Sequence, residues 1–401
     1  METGLSQRAF YLLEITKKLQ NKSSKTTIEI FSFCAILILT EVSFPKISYA
    51  KRRTTEDSMK KYLLPESGNF YKANLHCHST YSDGQLTPAE LKEIYKEKGY
   101  SIIAYTDHDI MIDHSYLADE DFLPLIGYEM EVNEEVAGIP WWELKTCHLC
   151  FITLDPSNMK QVCFHRNKYL FGGAPSHYDE IQFYEEEPDY EREYTPEKIN
   201  EMIKMGRDHG FFVTYNHPSW SLETYNDYTA YHDMNAMEIC NGGCVATGYD
   251  DYDPQSYDDM LRTGHRIYCL ATDDNHNPAA LKGTKMYGSF HGWTTFKADK
   301  LEYRTITDAL VKGNFYASQG PEIKELWVEN GVVHIECSDA EKIYLTTAKR
   351  RRECVWAQDG TSLTEANFRV LPEDGYIRIT VVDHHGKPAN TNAYFTDEIF
   401  G

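Results

Sequence analysis

Between residues 70 and 280, apolar and polar positions fall into a block that recurs three times. In TPAELKEIYKEKGYSIIAYTDHD, Thr87 suits an N-cap, Pro88 the first helical turn, and Glu90 completes a capping box. Leu91, Ile94 and Tyr95 share one helical face, Gly99 ends the helix, and the apolar run Tyr100–Tyr105 opens onto Asp107, His108 and Asp109. The same grammar returns in TPEKINEMIKMGRDHGFFVTYNHP. Thr195 and Pro196 stand at the start, Gly210 at the stop, and a strand over 211–215 runs out into Asn216, His217 and Pro218. It returns again in SYDDMLRTGHRIYCLATDDNH, where Gly264 follows the helix and the strand 266–271 ends in acids and a histidine. Helix, glycine, apolar strand and polar cluster, in that order, predict parallel βα units of an α/β fold. In barrels of such units the ligands gather at the C-terminal ends of the strands.

Two more apolar runs, LPLIGYEMEV with Glu129 and TCHLCFITL with His148, read as further strands. The acidic, tyrosine-rich stretch near 155–193 breaks the rhythm and reads as an insertion or lid over the same face. From about Pro321 the pattern changes to short alternating runs with a strong hairpin signal at Asn330-Gly331. That predicts a small antiparallel, sandwich-like β domain over 321–401 after a larger domain over 59–320. His384 and His385, just before Gly386, read as part of a turn rather than as a metal pair. Residues 1–58 read as an extension: either a signal-like segment near 28–50, or a stretch preceding a natural start at Met59. Its apolar run Ile30–Leu39 is too short to span a membrane.

The chain has 401 residues, 41% of them hydrophobic, enough for one large core and a smaller one. A formal net charge of −22 excludes a surface built to hold a long phosphate backbone and favours a small substrate. Ten cysteines are scattered through apolar runs, which reads as reduced thiols in a cytoplasmic protein, with secretion as the alternative. Cys147 and Cys150 have CxxC spacing but no second pair, so a structural zinc site is disfavoured.

The chemistry concentrates where the strands end. In NLHCHSTYSDG, strand alternation turns His76 and His78 to one side and Leu75 and Cys77 to the other. Two histidines alone mean little; their company is Asp83, His108, Glu129, His148, His217, Asp274 and His276. Imidazoles and carboxylates without thiolates suit Mn, Fe or Zn. Nine ligands exceed what one ion takes, so they imply two or three divalent metal ions, and the default chemistry of such a centre is hydrolysis of a phosphate ester. Asp107 and Asp109 read as groups that orient imidazoles, or as turn residues. Arg166, Lys168 and Lys282 are candidates for holding phosphate.

HCHSTYSDG, AYTDHD, the glutamate of GYEME, the histidine of CHLC, NHP and DDNH resemble, in order, the successive motifs of the PHP (polymerase and histidinol phosphatase) superfamily. GNFYASQGPEI and the β region look like the C-terminal part of a subgroup of its metal-dependent phosphoesterases. The resemblance implies a distorted (β/α)7 TIM-like barrel with up to three ions. His76, His78, Glu129 and Asp274 would hold the first, Glu129 would bridge to a second held by His148 and His217, and Asp83, His108 and His276 would hold the third. Asp-x-His spacing picks Asp274 over Asp273. The implied activity is cleavage of a small phosphorylated metabolite or nucleotide, with Glu129, Asp274 and His276 at the reacting centre. Hydrolysis of a non-phosphate ester and a non-catalytic metal-bound scaffold are the competing readings.

Overall fold

The computed structural model describes residues 60–401, and the readings placed on residues 1–58 lie outside them. The recurring block folds as its pattern predicts. β1 (Asn69–Asn74) leads to α1 (Pro88–Lys96), where Thr87 and Glu90 close the capping box, and then to β2 (Ile102–Tyr105). After β3 (Leu123–Asn133) and β4 (Thr146–Thr153), α2 (Pro196–Asp208) and β5 (Phe211–Tyr215) form the second block, with Thr195 capping. Next come β6 (Ala236–Asn241), α3 (Gly242–Thr247), α4 (Pro254–Arg262) and β7 (Tyr268–Thr272). β8 (Trp293–Ala298), α5 (Tyr303–Lys312) and β9 (Phe315–Ser318) complete this region.

The strands hydrogen-bond in the order β7-β6-β5-β4-β3-β2-β1-β8-β9. β1, β2 and β3 are parallel, as are β5, β6 and β7. β4 differs from the expected parallel repeat, running antiparallel to both β3 and β5. The connection over 134–145 carries only a 3₁₀ turn, Trp141–Glu143, and without a helical crossover the chain can only turn back. β2 and β4–β6 are buried along their whole length, so both faces are covered. The ladder is an open path rather than a closed barrel. Just beyond the ends of β1 and β7, Cys77 and Asn275 make an isolated parallel bridge, and the Asp274 N–H donates to the His76 carbonyl at 2.9 Å.

The C-terminal region is antiparallel. β10 (Ile323–Glu329), β11 (Val332–Ala340) and β14 (Leu363–Arg369) form one sheet, and β10 meets β11 at Asn330 and Gly331, both at positive φ (53° and 71°), which matches the twist of a tight hairpin. β12 (Lys342–Thr347), β13 (Arg352–Trp356), β15 (Tyr376–Val382) and β16 (Pro388–Thr391) make the other layer. That layer joins the large sheet, because β16 pairs with β9 (Tyr316↔Thr391). Alternating burial on β10 and β11 puts Ile323, Val333 and Ile335 into a core shared with Ile343 and Ile379. His384 and His385 sit in a turn closed by the Asp383 carboxylate, which accepts from the His385 and Lys387 N–H groups. Among the described residues all nine cysteines are free and eight are buried, and no helix is long and apolar enough to cross a membrane.

Candidate metal centre

Beyond β1 the chain stays extended, with Leu75 and Cys77 in the hydrophobic core and His76 and His78 on the other side, their Nε2 atoms 3.1 Å apart. The loop then folds back on itself. A Cβ at Gly84 would sit 2.5 Å from the His78 carbonyl oxygen, so glycine is required there. The fold-back brings Asp83 to within 3.4 Å of His78 Nδ1 and 3.2 Å of His276 Nε2.

Glu129, on β3, occupies the middle. Its Oε1 lies 3.1 Å from His76 Nε2 and 3.2 Å from His148 Nδ1, and its Oε2 lies 3.3 Å from His78 Nε2 and 3.4 Å from His108 Nε2. The β3–β4 register pairs Glu131 with His148, which turns His148 to the face Glu129 occupies. Past β7, Asp274 Oδ1 reaches His76 Nε2 (3.2 Å) and His78 Nε2 (3.0 Å), and Oδ2 lies 3.7 Å from His217 Nε2. Asp273 points the other way, accepting from the N–H groups of Phe290, His291 and Gly292 and from the Tyr95 hydroxyl. His217 and Asp274 both adopt positive φ (27° and 51°), a region that side-chain-bearing residues rarely use and that clusters at functional sites.

All nine residues picked out in the sequence thus lie in one cluster. Four groups within it could each hold an ion: His76, His78, Glu129 and Asp274; His78, Asp83, His108 and His276; His108, Glu129 and His148; and His76, His217 and Glu238. His217 falls in one group with His76 and Glu238 while its ring lies 4.9 Å from that of His148, and His108 belongs to two groups. None of the groups found among the described residues contains a cysteine.

The donors fit divalent cations. Nδ1 of His78 and of His108 and Nε2 of His148 are buried without a hydrogen-bond partner, although carboxylates crowd around them. Buried polar atoms of this kind are rare unless something else satisfies them. Burial works against charging His76, yet Asp274, Glu129 and Glu238 outweigh it and hold its pKa well above the usual imidazole range. For His217 the same contest, against Glu129, Asp274 and Glu238, ends at about 9. Burial wins at His108, which is pushed well down. Glu129 and Asp274 are held well below ordinary carboxylates despite their burial, by the surrounding imidazoles.

Glu238 is the functional residue the sequence reading missed. It sits on β6 with its Oε1 2.8 Å from His76 Nδ1, while the His217 N–H and the Asn241 amide donate to its Oε2, each at 3.0 Å. Its one local signal is a carboxylate inside the apolar run AMEIC, a place acids avoid unless paired. Asp107 turns out to hold the loop after His78, accepting from the backbone N–H and hydroxyl of both Ser79 and Ser82, and touches no imidazole. Asp109 pairs with the buried Arg192, which tethers the 155–193 segment beside the centre. Arg166 is tied to Asp189 and Lys168 to Glu191, both within that segment. Lys282 is exposed and lines a different groove.

The centre lies at the floor of a cleft of about 900 Å³, walled by the 134–145 connection, Tyr169–Phe171 and the segment after β7. Phe171 packs on His108 with ring centroids 4.7 Å apart.

Residues 74–268 match the family model of the PHP domain. A 5'-3' exoribonuclease of Haemophilus influenzae is 33% identical over 93 residues, covering 23% of this chain and 32% of that protein, so the match spans about a third of that relative. A solved two-domain protein from Bacteroides vulgatus, containing a predicted PHP-like metal-dependent phosphoesterase, is 16% identical with a TM-score of 0.40, over 80% of this chain and 94% of that one. An amidohydrolase from Chromobacterium violaceum, with bound sulfate and no metal, is 16% identical with a TM-score of 0.32, over 52% of this chain and 88% of that one. Scores of that size leave the family model to carry the assignment: the chain has a PHP domain, spanning residues 74–268.

Proposed function

We propose that the chain is a metal-dependent phosphoesterase that cleaves a small phosphate ester at a centre of two or three divalent ions. In this reading residues 59–320 are the catalytic, barrel-like domain, and 321–401 is an appended β domain. His76, His78, Glu129 and Asp274 would hold one ion, Glu129 with His148 and His217 a second, and Asp83, His108 and His276 a third. The observation that carries this is the position of Glu129, each of whose oxygens lies within 3.1–3.4 Å of two imidazoles.

Ions bound there would supply Lewis acidity to a phosphoryl oxygen and would ease deprotonation of water near neutral pH. The chain's own contribution is orientation. Glu238 accepts from His76 Nδ1–H, the Asp274 carbonyl from His276 Nδ1–H, and Ser221 Oγ meets His217 Nδ1, so all three rings direct Nε2 inward. Asn216 donates to Glu129 Oε1 at 2.9 Å and fixes the rotation of the shared carboxylate. Trp220 and Phe171 pack on the imidazoles and keep water off their outer faces.

Metal counting after loading with manganese is expected to find two or three ions per chain, and an aryl phosphate to be hydrolysed in a chelator-sensitive way. His76→Ala or Asp274→Ala should lower kcat/KM by about a thousandfold, the equivalent of some 4 kcal/mol of barrier. Fewer than two ions, or turnover of a carboxylic aryl ester alone, rejects the phosphoesterase reading.

A further inference from the structure

The cleft above the centre is uneven in its chemistry. Its upper wall is aromatic and aliphatic: Trp141, Trp142, Leu222 and Met286 line it, with Trp220 and Phe171 deeper. Trp141 and Trp142 are 70% and 64% exposed, neighbours at 6.1 Å between ring centroids, and no part of the described chain covers them. Two bare tryptophans side by side at the mouth of a cleft are a patch that a soluble surface ordinarily avoids.

Among the described residues, no lysine or arginine lines this cleft. The three basic candidates of the sequence are placed elsewhere, two of them in ion pairs. Glu131 does line it, with Oε2 3.6 Å from His148 Nε2. Ions held at the centre would then supply the positive charge that no lysine or arginine of the cleft provides. One anionic head is satisfied at the floor, but a second phosphate further up would lose its hydration against apolar walls and face a carboxylate.

We infer that the substrate is an ester with a single phosphate head whose other half is uncharged and flat, an aromatic or similarly apolar group held against Trp141 and Trp142, and is not a nucleoside bisphosphate or an oligonucleotide. The inference rests on the phosphoesterase reading of the centre and adds the class of substrate. A cleft of about 900 Å³ has room for a bicyclic group above the phosphoryl position. Stacking against tryptophan supplies affinity without charge, and it acts on binding rather than on the reacting bond.

The test uses the full chain loaded with manganese and three esters: 1-naphthyl phosphate, glycerol 1-phosphate and adenosine 3',5'-bisphosphate. kcat/KM for the naphthyl ester is expected to exceed the other two by about tenfold or more. The Trp141→Ala/Trp142→Ala double variant, altered at two exposed positions, should raise KM for the naphthyl ester by about tenfold, a larger loss than for glycerol 1-phosphate, which offers the tryptophans no ring. Calorimetry with naphthylmethylphosphonate, which cannot be hydrolysed, should show the same loss of affinity in the double variant. A faster reaction with the bisphosphate, or a naphthyl KM and phosphonate affinity indifferent to the two tryptophans, overturns the inference. Tryptophan-dependent phosphonate binding with no ester turned over removes the phosphoesterase reading, and with it the ester substrate, while leaving the aromatic subsite in place.

Discussion

The metal centre and the junction between α4 and the C-terminal sheet both bury charged groups, and they treat them in opposite ways. At the junction, Asp258 of α4 accepts from Arg378 Nε of β15 at 2.8 Å and from the Tyr376 hydroxyl at 3.0 Å, with Arg262 and Arg352 beyond. Burial alone would raise the Asp258 pKa, but Arg378 in particular holds it below the usual value. At the centre, four carboxylates and six histidines crowd together while three buried ring nitrogens find no partner. Burial is therefore not what marks the functional site. What marks it is a concentration of incompletely partnered imidazoles in one cluster, where the junction satisfies Asp258 with arginines and a tyrosine.

The largest effect that separates the two regions is on stability. Arg378→Ala leaves Asp258 buried beside two more distant arginines, and breaking a buried pair from one side costs about 3–5 kcal/mol. Chemical denaturation should show that loss equally with and without added manganese. A loss that vanished on metal loading would mean that the junction and the centre are energetically one network.

A smaller effect is expected from Glu238→Gln, which keeps the size of the side chain and removes the charge that holds the His76 ring. Loss of such an outer carboxylate weakens metal affinity or activity by about 10–100-fold. Manganese titration followed by calorimetry measures it. An unchanged affinity would show that His76 is oriented by its backbone position alone, and would narrow the contrast between a centre that needs outside support and a junction that supplies its own.

Legibility in the sequence divides along the same line. Helix starts at Thr87 and Thr195, the strand over 211–215 and the Asn330-Gly331 hairpin were readable because capping, apolar runs and turn chemistry are local. The clustering of nine distant residues could be expected only from the parallel blocks and the family resemblance. Three features could not be read. The reversal of β4 depends on what the 134–145 connection fails to form, the merging of the C-terminal layer with the large sheet depends on the β9–β16 pairing, and Glu238 acts across 162 residues of chain. Each is a contact between segments with no signal in either segment alone.

The smallest effect concerns a third buried carboxylate, Glu223, which stands between the two extremes. Among the described residues no cation pairs with it, and it accepts hydroxyl hydrogen bonds from Tyr194 (2.8 Å), Tyr215 (2.6 Å) and Tyr231. Burial is the largest influence and raises its pKa from 4.5 to about 7, against the pull of the three hydroxyls. Because the folded pKa is the higher one, the folded protein holds this proton more tightly than the unfolded chain does. The resulting stability is fully present below about pH 4.5 and is lost as pH rises through about 7. Glu223→Gln cannot titrate, so the difference in stability between variant and parent should drift in the variant's favour across that window. Denaturation curves at a series of pH values decide it. A constant difference would mean that the three tyrosines hold Glu223 charged throughout, and that this part of the fold satisfies a bare anion with hydroxyls as completely as the junction does with arginine.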